Sequence, residues 1–291
     1  MITAQMVKEL REMTSAGMMD CKKALTATNG NMDEAVKWLR ENGIMKAQKK
    51  ESRIAAEGVC KVAVEGNLAT VFEVNSETDF VAKNEKFITL VDKIAKAILA
   101  NKAKNDEEAL NAVVDGEKVS DLIVAAVATI GEKISLRRVS LVEKTDSQVF
   151  GAYTHMNNKI VSLVVLEGGC AECAKDVCMH VAAMNPKYID KTFVDQEYLA
   201  SETEVLKQET LNEGKPANIV DKIVAGKVQK LLKSICLVDQ PFVKNEDVTV
   251  GQFVASKGAA VKVMIRLEVG EGIEKRQDDF AAEVMAAVNK K

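Results

Sequence analysis

Residues 58–87, GVCKVAVEGNLATVFEVNSETDFVAKNEKF, decide the fold. From Gly58 the pattern has a period of two: Val59, Lys61, Ala63 and Glu65 alternate with Cys60, Val62 and Val64. Gly66-Asn67 offers a turn, and Leu68–Val74 returns as a second strand, so the segment predicts a β-hairpin. A polar corner follows, presenting Asp79 and Phe80 side by side. Beyond it Phe87, Leu90, Val91, Ile94 and Ile98 recur at helical spacing. A hairpin backed by an amphipathic helix predicts an α+β fold, an antiparallel sheet layered with helices. Phe80 is a large ring at a strand-to-helix corner between charged neighbours. Such corners are exposed and collect binding residues. Two readings stay open: the ring folds back beneath its own loop, or it stands out as a wedge for a partner.

Working outward, the same order recurs. Lys133–Val142 is strand-like and completes residues 58–145 as one core subdomain. Val149–Tyr153 and Ile160–Leu166 make a second hairpin turning at Asn157-Asn158, followed by a helix at Cys173–Met184 and a strand at Ala260–Val269. Residues 146–270 thus read as a second, related subdomain. Within the first, a charged loop at Asn101–Glu108 leads to Ala109–Val114, and Asp121–Ile130 is an apolar helix. The second carries an insertion at about 191–236. There a polar helix, Asp195–Asn212, is broken by Gly214-Lys215-Pro216 and followed by a stripe from Ile219 to Ile235. A thin stripe on a polar helix predicts a projecting coiled-coil hairpin.

Residues 1–43 predict a three-helix unit. Val7, Leu10 and Met13 lie on one helix, and Gly17 with Met18-Met19 interrupts the pattern as a loop. Cys21, Ala24 and Leu25 begin the second helix. Asn29-Gly30 is a turn, Asn31 an N-cap, and Met32, Ala35, Val36 and Leu39 form the third stripe, ended by Gly43. Residues 44–57 read as a linker whose Lys46, Lys49, Lys50 and Arg53 are solvated. Residues 271–291 read as a C-terminal module with a helix at Asp279–Val288.

The totals narrow the function. The 291 residues hold two or three domains. Net charge is −3, so a broad electrostatic footprint for nucleic acid is absent, and at 4% aromatics base-stacking platforms are not expected. The longest largely apolar run, Leu122–Ile130, falls far short of the ~20 residues of a membrane span. The amphipathic N-terminus has no signal-peptide apolar region. Six irregularly spaced cysteines fit a reduced, cytoplasmic protein.

Other constellations are weaker. Cys170, Cys173, Cys178 and His180 have zinc-ligand chemistry, but all lie in or beside one helix and do not converge on one point, so buried, inert cysteines are expected. A metal-dependent enzyme centred there is the main alternative from another class, and a scaffold using the helical hairpin a third. Gly270-Glu271-Gly272 lacks the third glycine of a dinucleotide loop, and no GxxxxGK[ST] occurs. His155 and His180 have no catalytic motif around them, and a solvated hairpin histidine is expected at 155.

Several blocks together resemble the bacterial elongation factor Ts family: Arg11 with Thr14–Leu25, Thr78–Lys83 (TDFVAK), Ile130–Ile134 with Arg137-Arg138, His180–Ala183, Gln240–Val243 and Val269–Lys275. Ser15, Glu77 and the cysteine cluster depart from the family pattern. The resemblance implies a UBA-like N-terminal domain, a core of two related subdomains, a coiled-coil hairpin and a C-terminal module. It also implies guanine-nucleotide exchange on the GTPase EF-Tu, without a cofactor, a metal of its own or enzymatic bond chemistry. By the same resemblance Arg11, Met18 and Met19 dock on the partner, and Thr78, Asp79, Phe80 and Val81 disturb its Mg²⁺ and phosphate site. His155 contacts it elsewhere, and a dimer or heterotetramer with EF-Tu stays open.

Overall fold

The computed structural model describes residues 2–14 and 16–274. Ser15, Lys275 and the expected helix Asp279–Val288 lie outside the described residues. The chain mixes helices and sheets, as an α+β fold requires. It divides into two compact units. One holds the residues up to Cys60, Phe72–Ser140 and the described residues from Glu268 on; the other holds Lys61–Val71 and Leu141–Leu267.

The first unit begins with α1 (Ala4–Thr14), α2 (Met18–Ala27) and α3 (Met32–Gln48). Val7, Leu10, Cys21, Ala24, Leu25 and Ala35 form their shared core. Asn31 caps α3 through its side chain, which accepts the Glu34 N–H. Two expectations are corrected here. Met18-Met19 are the first turn of α2, not a loop, because Gly17 takes the extended N-cap conformation directly before them. Gly43 does not end the third helix. It is buried inside it, and a Cβ there would lie 3.4 Å from Ala128 Cβ, so its missing side chain lets a later helix pack close.

Strands β1 (Glu57–Glu65) and β2 (Leu68–Ser76) join at Gly66-Asn67, as the alternation predicts. One turn of helix, α4 (Asp79–Ala82), precedes α5 (Glu85–Asn101), whose stripe Phe87, Leu90, Val91, Ile94 and Ile98 is entirely buried. The charged stretch 101–108 is not all loop. Asn105 accepts the Glu108 N–H and starts α6 (Asp106–Asn111). The short strands β3 (Val113–Val114) and β4 (Glu117–Lys118) lead to α7 (Val119–Ile130), which packs on α3 around Gly43. Strand β5 (Ser135–Glu143) completes a three-stranded sheet of order β1-β2-β5.

In the second unit β6 (Gln148–His155) pairs antiparallel with β7 (Ile160–Glu167), Gly151 opposite Val164 and His155 opposite Ile160. Met156, Asn157 and Asn158 all take positive φ in the turn between them. Helix α8 (Ala171–Met184) crosses β6 at Gly151, where a Cβ would stand 2.3 Å from the Ala174 carbonyl oxygen; only glycine fits. Helices α9 (Gln196–Asn212) and α10 (Ala217–Ile235) pack on each other, with Lys227 Nζ 2.8 Å from Glu213 Oε1. Strands β8 (Pro241–Phe242) and β9 (Asn245–Thr249) pair, and α11 (Val250–Ser256) opens on a capping box of Thr249 and Gln252. Strand β10 (Ala260–Glu268) gives the second sheet the order β10-β7-β6. Leu166, Val177, Val181, Leu237, Phe242 and Val254 belong to the core there.

Candidate partner-binding site

The corner after β2 separates its side chains by face. Phe80 is 81% exposed, whereas Val81 is 9% exposed and Ala82 is buried. Successive helical residues point about 100° apart, so the turn that plants Val81 and Ala82 in the core sends Phe80 outward. Of the two readings of the ring, folding back beneath its loop is thereby excluded. Asp79 sits in the first turn of α4, and Lys83 Nζ donates to its Oδ2 at 2.7 Å, one helical turn along. Thr78 is the N-cap, but its hydroxyl does not cap α4; it donates to Glu132 Oε1 at 2.7 Å. Val81 turns most of its surface into the core beneath the corner.

Arg11 lies exposed in the last turn of α1. Met13, Met18 and Met19 are exposed large apolar side chains of the same three-helix unit, Met18 by 56% and Met19 by 64%. Unbranched thioethers at a surface suit an adaptable contact. Asp20, beside Met19, takes a 2.8 Å hydrogen bond from Lys46 Nζ of α3. The basic stretch is therefore not merely solvated: Lys46 bonds Asp20, Lys50 donates to the Gly131 carbonyl, and Arg53 donates to both carboxylate oxygens of Glu77 at 3.2 Å.

Residues 77–271, well over half of the chain, match the family model described as Elongation factor TS. The chain belongs to the elongation factor Ts family. It is a translation elongation factor. The matched residues begin at the corner itself and take in Asp79, Phe80 and His155, whereas Arg11, Met18 and Met19 precede them. No helix among the described residues is long and apolar enough to cross a membrane.

His155 belongs to the second unit of this elongation factor. It is the last residue of β6 rather than a loop residue, exposed, with its ring stacked on Tyr153 and its Nδ1 3.2 Å from the Tyr153 hydroxyl. The cysteine cluster disperses. Cys170 Sγ accepts the Cys173 N–H at the start of α8, while Cys173 and Cys178 are buried in the core. Burial pushes the Cys178 thiol up to about 12, outweighing its bond with Ser162. His180 is buried, accepts the Val243 N–H at Nδ1 (3.2 Å) and donates from Nε2 to Gln240 Oε1 (2.9 Å). Both its nitrogens are thus occupied, and none of the described residues form a cluster of three or more metal-ligating groups.

Sequence reasoning missed the two glutamates nearest the corner. Glu132 and Glu77 lie 55 positions apart and belong to no shared local pattern. Gly131, the left-handed C-cap of α7, marks where the chain leaves that helix just before Glu132.

Proposed function

We propose that this elongation factor is a guanine-nucleotide exchange factor for EF-Tu. It binds EF-Tu·GDP, promotes GDP release by disturbing the partner's Mg²⁺ and phosphate site, and stays bound until nucleotide returns. The carrying observation is Phe80: a ring left 81% in water on a turn whose neighbours Val81 and Ala82 are buried. An exposed phenylalanine contributes almost nothing to folding, so its use lies in a surface it can enter.

Mg²⁺ holds near-ideal octahedral geometry and offsets phosphate charge. A ring driven between the partner's elements shifts the groups that hold the ion without touching the nucleotide. The Asp79 carboxylate adds negative charge beside the same site. GDP then loses both ion and phosphate contacts. By linkage, GDP weakens the factor's grip by the factor that the factor weakens GDP. No covalent bond is made or broken, so the protein acts as an exchange factor and not as an enzyme.

In this reading Arg11, Met18 and Met19 of a UBA-like N-terminal domain dock on the GTPase domain, and His155 makes a separate contact. Thr78 and Val81 hold the corner from behind. The two sheet-and-helix halves are related subdomains, and α9 with α10 is a coiled-coil hairpin. Its setting is the cytoplasm, where EF-Tu works.

Phe80→Ala tests the reading. Burying a phenylalanine contributes about 1.5–3 kcal/mol. If that is realised only as GDP leaves, the variant slows release roughly 10- to 150-fold. Stopped-flow release of labelled GDP from EF-Tu measures it, and a variant as fast as the parent would sink the wedge.

A further inference from the structure

The geometry points to Glu132 as the positioning residue of the Asp79-Phe80 corner, a role that rests on the exchange reading above. A single helical turn is not stable alone, because nucleation fixes several dihedrals for one hydrogen bond. Helix α4 has four residues, and its N-cap side chain is turned away from it. Something outside the turn must hold it.

That hold is a reciprocal exchange between two carboxylates. Glu132 Oε2 accepts the N–H of Glu77 at 3.0 Å and of Thr78 at 2.9 Å, while Oε1 accepts the Thr78 hydroxyl at 2.7 Å. Glu77 Oε1 in return accepts the Lys133 N–H at 2.6 Å and is paired with Arg53. Ser76 closes the stem, donating its hydroxyl to the Thr78 carbonyl at 2.9 Å. Glu132 itself is anchored. It follows Gly131, the left-handed C-cap of the 12-residue helix α7, and Lys133 Nζ donates to the Glu51 carbonyl at 2.5 Å. Hydrogen bonds to an ionised carboxylate are roughly twice as strong as neutral ones. Three donors on Glu132 therefore tie Glu77 and Thr78, the two residues before Asp79, to the end of a packed helix.

The consequence is directional stiffness. A ring on a loose turn swings aside when it meets a packed surface; a ring on a clamped turn transmits the push. Clamping beforehand also removes the ordering cost from the encounter. Glu132 thus acts through Phe80 on the rate of release and has no need to touch the partner.

The test uses the full chain with EF-Tu and labelled GDP, titrating the factor to saturation. Glu132→Ala should lower the maximal release rate at least 10-fold while Glu132→Gln, which keeps an acceptor for the backbone N–H groups, recovers most of it. Because Glu132 works through the ring, Phe80→Ala/Glu132→Ala should be no more than about 2-fold slower than the slower single variant. In the free factor, Glu132→Ala should speed hydrogen exchange at the Glu77 and Thr78 amides. Release at the parent rate in Glu132→Ala, alongside a slow Phe80→Ala, overturns the positioning role and leaves the exchange reading standing. Parent rates in both single variants overturn both. Multiplicative losses in the double variant, or amides still protected in Glu132→Ala, also overturn positioning. If Glu132→Ala does not fold, Thr78→Val removes only the hydroxyl donor. It should slow release several-fold in the parent and not in the Phe80→Ala background, and release at the parent rate would refute the role.

Discussion

Glu73 is the place where one substitution should cost the first unit most. Its carboxylate is fully buried on β2. Arg138 donates from Nε at 2.9 Å and from a terminal guanidinium nitrogen at 2.7 Å; Arg137 Nε lies 3.2 Å away. Asn75 Nδ2 donates at 2.7 Å and the Gly270 N–H at 2.6 Å. Adjacent strand residues normally point to opposite faces. Arg137 and Arg138 reach one carboxylate because Arg138 takes φ +58, a conformation held by Asp106, which accepts the Arg138 and Val139 N–H groups at 3.1 and 2.6 Å. Glu73→Gln keeps the shape and removes the charge. Breaking one side of a buried ion pair costs about 3–5 kcal/mol. The lower end applies here, because the Arg137 and Arg138 side chains keep 26% and 23% of their surface in water. A loss of about 3 kcal/mol lowers Tm by roughly 6–12 °C in a protein of this size. Glu73→Leu also leaves the Gly270 N–H without an acceptor and should cost about 1–3 kcal/mol more. Urea and thermal unfolding by circular dichroism read both. The reasoning fails if Glu73→Gln stays within 1 kcal/mol of the parent, or if Glu73→Leu is the more stable of the two, which would make the ion cluster a desolvation burden.

Two further outcomes concern His180 and the cysteines. Burial pushes the His180 pKa below its usual value, against the opposing bond from Gln240. The folded state therefore binds fewer protons than the unfolded chain below the unfolded pKa of about 6.5, and stability falls as pH drops from there, by at most about 1.4 kcal/mol per unit. Urea unfolding at a series of pH values down to mildly acid should show this slope, and His180→Gln should remove its share; an unchanged slope refutes the assignment. Among the six cysteines only Cys170 is exposed, and burial carries both Cys60 and Cys178 up to about 12. A thiol reagent at neutral pH should titrate one fast thiol in the native protein, and a fast thiol persisting in Cys170→Ser would contradict this.

Periodic burial was legible and long-range polar pairing was not. The alternation around Gly66-Asn67 and the stripe from Phe87 to Ile98 are each set by neighbours a few residues away, and both elements stand where the pattern placed them. Gly43 misled because glycine commonly closes a helix. Here it lies within α3, whose close contact with Val124 and Ala128 of α7 is invisible to local rules. Likewise Arg53, Glu77 and Glu132 look like ordinary surface charges until the fold brings positions 53, 77 and 132 together. The Asp106 helix could have been read, since Asn105 followed three residues later by Glu108 is a capping pattern.

The separation of faces at the corner implies that fold and function there can be varied independently. Val81, Ala82 and Phe87 are buried and belong to stability; Phe80 is not and does not. A native protein holds only a small surplus of stability, so a ring that contributed to the core could not also be withdrawn for a partner without endangering the fold. Leaving Phe80 in water avoids that conflict, but only if the turn beneath it stays closed without the ring's help. The Glu132 and Glu77 exchange meets that condition from the polar side, and Val81 with Ala82 meets it from the apolar side. A substitution at Phe80 should therefore leave unfolding unchanged within about 0.5 kcal/mol while changing exchange, whereas Val81→Ala should lower both.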